Sequence, residues 1–404
     1  MNFYNIGRFV DHRLGAIACT VLMLVKTIGV SLRLIPYKEK PETINRIVFI
    51  KIIGFGSIIL TTPAIKALRK KYPEAHISIV TLTTNKNITE LTQLFDEVIA
   101  INASLGLFGT IINCFSVLNQ VRNKKPDIIF DLEIFSNLSS LFVFLSGPVF
   151  SVGFGSFKLY RDVFYNEKIA FDHSRHMIDI YCKMVSILDV YPDNKSTDCF
   201  GHLSDKDHTD FIKKFPEIDF SNHSVVFVNV NSGDLAWQRR IPLSKFAEII
   251  TTASHENNSI RFVLIGGPSD VQHVNNFYDL LEDATKEKTI NVAGKTSFRE
   301  LLAFFRFGDA YVGNDSGPLH LAVSMNLPAI AFFGPETPRL YGYDFAPHIM
   351  FYNNIFCSPC MNSFHYKISK CKKNICLESI NNNEVVMAIV QTVGEKKKLS
   401  NDKD

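Results

Sequence analysis

The sequence predicts an α/β protein built from two Rossmann-like parallel-sheet domains facing a cleft, preceded by an apolar N-terminal helix. Three observations predict it. From residue 46 onward, short apolar runs alternate with helical segments, as in strands whose faces are covered by crossover helices. That alternation pauses over a polar stretch at Tyr191–Ser221 and then restarts. The 404 residues also exceed what one core holds, since single cores stop growing near roughly 250–300 residues. The expected organisation is an N-terminal segment at residues 1–40, a first domain at 46–195, a second at 222–385 and a solvated, flexible tail at 395–404.

Taken in order, each element has its own pattern. Leu14–Val25 is uncharged and largely apolar, Lys26 breaks it, and Thr27–Leu32 continues it. The uncharged run is shorter than the roughly 20 residues that cross hydrocarbon. Lys26 and Arg33 lie seven apart, hence on one helical face, with Arg8, Arg13 and Lys38 nearby. The reading is a helix lying in a membrane interface, its cations toward anionic head groups; the alternative is a helix packed on the protein itself. Ile47–Ile53 is a continuous apolar strand interrupted only by Lys51. An amphipathic helix at Thr61–Tyr72 follows, then strands His76–Val80, Glu97–Ile101 and Ile128–Leu132. The second series runs through strand Val225–Val230, a helix near Leu243–Ser254, strand Arg261–Ile265 and a helix near Val271–Leu281. Strand Asp309–Val312, a helix from Gly317 and strand Ala329–Phe333 complete it.

Composition excludes several classes. With 43 basic and 40 acidic side chains the formal net charge is +3, too small a balance for a nucleic-acid partner. Eight cysteines make no disulfide scaffold in a chain of this length, and no cleavable signal peptide is evident, so the expected setting is the reducing cytosol.

Ligands of such sheets bind beyond the carboxyl ends of the strands, so the strand-end loops carry the candidates. Gly54 and Gly56 follow the first strand and allow a tight turn with close backbone approach. Ser57 is placed to cap the next helix, whose free N–H groups favour an anion; a plain tight turn explains the same residues. Ile59 stands where a dinucleotide fingerprint needs its third glycine, which disfavours a nicotinamide-dependent oxidoreductase. Asp131 and Glu133, in "FDLEIFSN", end another strand of the first domain.

The second domain carries denser signals. "GNDSGPLHLA" places Asn314, Asp315, Ser316 and Gly317 between a strand and a helix opened by Pro318. Backbone donors at that helix end suit a diphosphate. Asp315 would orient a ribose or sugar hydroxyl, and His320, one turn on, would donate to a phosphate. Arg239 and Arg240 leave another strand, and guanidinium forks match phosphate geometry. Gly266-Gly267 permits close approach, with Asp270 set to accept ribose hydroxyls. Cys357, Cys360, Cys371 and Cys376 have the spacing of a structural zinc site, with reduced loop thiols or a disulfide pair as alternatives. No histidine or carboxylate cluster completes a catalytic metal site.

Together and in this order, these motifs resemble the ADP-heptose:lipopolysaccharide heptosyltransferases of glycosyltransferase family 9. Thr61–Pro73 matches a "TTPAIRALRKxYP" helix, and Arg239-Arg240-Ile241-Pro242 stands where the family has "KRWP". Gly313–Leu321, Pro328 and Phe333–Thr337 match "GNDSGPxHLAxAxxxPxxxxFGPT", and the cysteine segment recurs in many members. The resemblance implies a GT-B fold and an inverting, metal-independent transfer needing no catalytic cofactor. It further implies a nucleotide-sugar donor, ADP-heptose, held by the second domain. A lipid-linked glycan acceptor at the cytoplasmic face of an inner membrane would meet the first. One departure matters: the family's first loop typically reads "LGD", its Asp proposed as general base, whereas here Ser57 stands at that position. A serine hydroxyl is a poor base at neutral pH, so Asp131 and Glu133 are the expected substitutes. The same departure supports an alternative, a non-catalytic sugar-nucleotide or glycan-binding homologue. Arg239 in place of Lys keeps the charge and changes its geometry.

Overall fold

The computed structural model describes residues 11, 15–31, 39–134, 136–155, 160–203, 213–361 and 369–401. They form two compact units, Met1–Ser196 and Thr197–Asp404.

The first unit runs α1 (Ala16–Ser31), β1 (Arg46–Ile50), α2 (Phe55–Ile59), α3 (Thr62–Lys71), β2 (His76–Leu82), α4 (Thr83–Leu91) and β3 (Glu97–Ile101). It continues with α5 (Gly106–Asn123), β4 (Ile128–Asp131), α6 (Asn137–Ser146), β5 (Phe150–Gly155), β6 (Glu167–Ala170) and α7 (Met177–Val185). Its strands pair in parallel in the order β3-β2-β1-β4-β5-β6. The chain steps outward from β1 on one side and returns to its other side at β4. That reversal sets the carboxyl ends of β1 and β4 side by side, Ile50 opposite Asp131, which is where open α/β sheets place ligands. The continuous apolar runs of β1 and β4 are buried on both faces, and Phe49 stacks on Phe130 across the pair at 5.0 Å.

The second unit repeats the plan. It contains β7 (Ser224–Asn229), α8 (Leu243–Glu256), β8 (Ile260–Leu264), α9 (Val271–Asp279), α10 (Asp283–Lys286), β9 (Thr289–Asn291) and α11 (Phe298–Phe307). There follow β10 (Ala310–Asn314), α12 (Gly317–Ser324), β11 (Ala329–Phe333), α13 (Pro338–Tyr341), β12 (Ile349–Tyr352), α14 (Ile375–Glu378) and α15 (Asn382–Asn401). The order is β12-β11-β10-β7-β8-β9, parallel throughout. Here the reversal joins β7 to β10, with Asn229 opposite Gly313. Helix α15 packs on α8 and runs on to Asn401, so helix replaces the tail expected from Glu395.

The N-terminal helix both packs and presents a free face. Cys19 and Leu22 of α1 join Leu141 and Phe144 of α6 and Phe164 in an apolar cluster. Asp11 fastens the same segment, accepting from Ser136 Oγ at 3.0 Å and from the Asn137 and Leu138 N–H groups at 3.1 and 2.7 Å. Those N–H groups open α6, so a carboxylate from outside the helix satisfies donors with no partner within it. Ile17, Val21 and Leu24 remain exposed on the opposite side. Among the described residues no helix is long and apolar enough to cross a membrane. Arg8, Arg13, Arg33, Lys38 and the Lys26 side chain, invoked above for head-group contact, lie outside the described residues.

Candidate active site

In the first unit the site is a turn held from behind. β1 ends at Ile50, and Gly54 reverses the chain with φ +83°, a left-handed conformation that favours glycine. Ser57 does not cap the following helix: Gly54 is its N-cap and carries no side chain to do so, while Ser57 is the third residue of α2. What holds the turn is Glu133. Its Oε1 accepts from the Ile52 N–H at 2.7 Å, the Ile53 N–H at 3.0 Å and the Lys51 Nζ at 3.0 Å. Burial alone would push the Glu133 pKa up; the Lys51 charge and the two N–H groups outweigh that and hold it below the ordinary carboxylate value. Asn85 of α4 adds a bond to the Ile52 carbonyl at 3.0 Å.

Asp131 is placed differently. It is fully buried, and its Oδ2 accepts from Tyr165 Oη at 2.6 Å, Ser139 Oγ at 2.7 Å and Arg161 Nη2 at 3.2 Å. Its Oδ1 accepts the Glu133 N–H at 3.0 Å. Burial pushes its pKa up against the charge of Arg161 and the bonds from Tyr165 and Ser139. Arg161 also donates to the Glu133 carbonyl at 2.6 Å. The two carboxylates expected to share one role therefore divide it. Asp131 and Arg161 are sealed beneath the turn and hold residue 133, whereas only one oxygen of Glu133 is engaged by a described residue.

In the second unit the polar strand ends converge. Asn314, at the tip of β10, accepts the Ile241 N–H at 2.9 Å and donates to the Val230 carbonyl at 2.9 Å. It thereby ties the Arg239–Pro242 loop to the β10–α12 turn. Arg239 Nη1 meets Asp315 Oδ2 at 3.2 Å and its Nη2 donates to the Ser232 carbonyl at 3.0 Å. Its Nε, one of five guanidinium donors, has no partner among the described residues. Ser316 is extended and immediately precedes α12, whose first-turn N–H groups have no intrahelical acceptor. Asn229 of β7 fixes Ser316 by donating to its Oγ at 2.8 Å and reaches Tyr311 Oη at 3.1 Å. At Gly313 a Cβ would lie 2.6 Å from Tyr311 Oη and 2.9 Å from the Asn229 carbonyl oxygen, so this strand end admits only glycine without rearrangement.

The remaining candidates surround this core. At Gly266 a Cβ would lie 3.0 Å from Asn231 Nδ2 and 3.0 Å from the Asp270 Cβ. Asp270 closes that turn, its Oδ2 accepting the Gly267 N–H at 2.9 Å. His320 lies inside the unit rather than on an open surface: it is buried, with Nδ1 2.9 Å from Tyr343 Oη. The Arg240 carbonyl accepts from Asn374 Nδ2 at 2.9 Å. The four cysteines lie near one another, burial and then the charges of Cys360, Cys371 and Cys357 pushing the Cys376 thiol up to about 11, but the zinc site that their spacing allowed gains no support. Cys360 Sγ lies 3.2 Å from Ser369 Oγ, Cys371 Sγ donates to the Lys373 carbonyl at 2.9 Å, Cys376 is buried and Cys357 exposed. Among the described residues no three His, Cys, Asp or Glu side chains are arranged to hold a metal ion.

Lys51, Arg161, Tyr165, Asn229 and Tyr311 complete these networks and were not anticipated. Lys51 had a signal, as the lone charge in an apolar strand. Asn229 had a weaker one, as a polar residue ending another. Arg161 and Tyr165 had none.

The glycosyltransferase family 9 (heptosyltransferase) model matches residues 114–370. Lipopolysaccharide heptosyltransferase 1 of Campylobacter coli is 23% identical over 361 residues, covering 87% of this chain and all of that protein. The structure of E. coli ADP-heptose lipopolysaccharide heptosyltransferase II superposes with a TM-score of 0.69 at 17% identity, over 87% of this chain and 99% of that one. That of the E. coli heptosyltransferase WaaC with ADP-2-deoxy-2-fluoro heptose does so with a TM-score of 0.61 at 14% identity, over 87% and 99%. The shared fold is the GT-B pair of Rossmann-like domains.

Proposed function

The chain belongs to glycosyltransferase family 9 and is an enzyme that transfers a sugar; from that premise we propose that it moves a heptose from ADP-heptose to a lipid-linked lipopolysaccharide core acceptor at the cytoplasmic membrane face. The observation that carries the reading is the convergence of Arg239, Asp315, Ser316 and the start of α12 at the β7 and β10 strand ends.

In this reading the donor diphosphate sits at the α12 N-terminus. Breaking the anomeric C–O bond leaves negative charge on the departing phosphate. The N–H groups of Ser316 and Gly317 and the uncommitted donors of Arg239 are already aimed by Asn229, Asn314 and Asp315. Preorganised donors of this kind stabilise charge as it develops without reorganising. Asp270 takes a ribose hydroxyl with its second oxygen, Gly266 and Arg240 line the same end, and His320 backs the turn from within. The acceptor lies at the Gly54–Ser57 turn of the first unit, and Glu133 removes its hydroxyl proton as the oxygen attacks with inversion. Glu133 is ionised at neutral pH like any glutamate paired with a lysine, and its second oxygen is the one left for the proton. The curated relatives and the ADP-sugar complex of a like-folded heptosyltransferase support the choice of sugar and nucleotide. The test is incubation of the full chain with ADP-heptose and a lipid A–inner-core acceptor, read by mass spectrometry. Gain of one heptose on the acceptor supports the reading; donor binding without gain on any lipid-linked glycan supports the binding homologue instead.

A further inference from the structure

Helix α5 carries apolar side chains on the wrong side for a core helix. Val117 and Val121 are buried against the sheet, yet Phe108, Ile112 and Phe115, spaced i, i+4 and i+7 along the opposite face, are 81%, 69% and 60% exposed. Leu107 and Ile111 extend the same face. The surface continues sideways: α5 packs on α6 and α6 on α1, and these neighbours expose Leu138 and Leu145, and Ile17, Val21 and Leu24. Isolated exposed apolar residues are ordinary, but adjoining rows mark an interaction surface. Its charges name the partner. Residues 102–125, 134–149 and 16–31 contain no Asp or Glu, and their only charged side chains are Lys26, Arg122, Lys124 and Lys125. Arg122 and Lys125 are exposed at the end of α5, and Lys124 pairs with Glu97 at 2.6 Å. Apolar rows with the exposed cations Arg122 and Lys125 at their end fit a bilayer with anionic head groups, where aromatic and aliphatic side chains enter the acyl boundary and basic ones meet phosphate.

We propose that the outer face of α5, continued over α6 and α1, docks the first unit on an anionic membrane surface. This rests on the lipid-linked acceptor for its purpose and enlarges the membrane contact expected from the N-terminal helix alone. The test uses vesicles without any glycan, so it reads the surface independently of the sugar chemistry. The full chain is sedimented with phosphatidylethanolamine vesicles with or without phosphatidylglycerol, beside the variant carrying Phe108→Ser, Ile112→Ser and Phe115→Ser. All three residues are exposed, so folding is checked simply by unchanged thermal melting and unchanged ADP binding. The parent is expected to sediment with the anionic vesicles and more weakly with the neutral ones. The triple variant should lose at least about tenfold of its partitioning, since binding scales with buried apolar area. Failure of the parent to sediment, equal binding by the triple variant, or a parent dimer that the triple variant dissolves would each overturn the proposal, the last by showing that a second copy covers the face. A parent that binds vesicles but not ADP would instead count against the donor assignment and leave the surface standing.

Discussion

Replacing Glu133 by glutamine separates two things this side chain does. The amide oxygen can still accept the Ile52 and Ile53 N–H groups, now 2.7 and 3.0 Å away. It cannot neutralise Lys51, whose ammonium lies 3.0 Å from Oε1 with both side chains less than a tenth exposed. Removing one partner of a buried ion pair costs about 3–5 kcal/mol, because the other charge stays buried. Retention of the two N–H bonds places Glu133→Gln at the lower end, about 3 kcal/mol by urea denaturation. The rate should fall further, by about 10²–10⁴-fold, the usual contribution of a general base. The double variant Lys51→Met/Glu133→Gln tells the effects apart. Methionine fills the lysine's volume without charge, so most of the lost stability should return while the transfer rate stays low. If the double variant regained the rate as well, Glu133 would act only by holding the turn. A stability loss below about 1 kcal/mol for the single variant would contradict the buried pair itself.

Three further outcomes follow from the same geometry. Arg239→Lys keeps a charge beside Asp315 but cannot span both Asp315 and the Ser232 carbonyl, so ADP affinity by calorimetry should fall about tenfold or more with little change in melting; unchanged affinity would remove Arg239 from the donor site. Gly313→Ala forces a methyl to within 2.6 Å of Tyr311 Oη and 2.9 Å of a backbone oxygen, which should lower stability by about 1–3 kcal/mol and weaken ADP binding; a neutral effect would mean this strand end is more pliant than drawn. Burial pushes the His348 pKa down to about 4, below the ordinary 6.5, and its Nδ1 accepts the Ala329 N–H at 3.2 Å. The unfolded chain then takes up the proton first, so this contribution is complete above pH 6.5 and is lost as pH falls toward 4, by about 3 kcal/mol. His348→Asn, which keeps an acceptor without titrating, should flatten that part of the stability–pH curve.

The central strands were legible because burial on both faces leaves an apolar run through the middle of β1, β4, β7, β10 and β11, with polar residues only at their ends. The edges were not. β5 carries Ser151, Gly153 and Gly155, and at Gly153 a Cβ would lie 2.3 Å from the Tyr165 ring, so a long-range packing need erased the local strand signal. Helix α5 escaped detection because it is apolar on its outer face as well as its inner one. The turn at Gly54 was legible, its cap was not: the left-handed glycine lets α2 begin at Phe55, which moves Ser57 inside the helix. Asp131 and Glu133 were found at a strand end, but Arg161 and Tyr165, some thirty residues away, decide that Asp131 is fully engaged while Glu133 keeps one oxygen without a described partner. The cysteine spacing did bring the four thiols near one another, but their directions depend on local partners such as Ser369 and the Lys373 carbonyl.

Acceptor-dependent release of ADP is the most direct test of the account. The full chain is supplied with ADP-heptose, and free ADP and acceptor-bound heptose are followed together, with and without the lipid A–inner-core acceptor. Equal amounts of ADP and transferred heptose, appearing only when acceptor is present, are predicted. Tight ADP-heptose binding with no ADP release across a panel of lipid-linked acceptors would contradict heptosyl transfer.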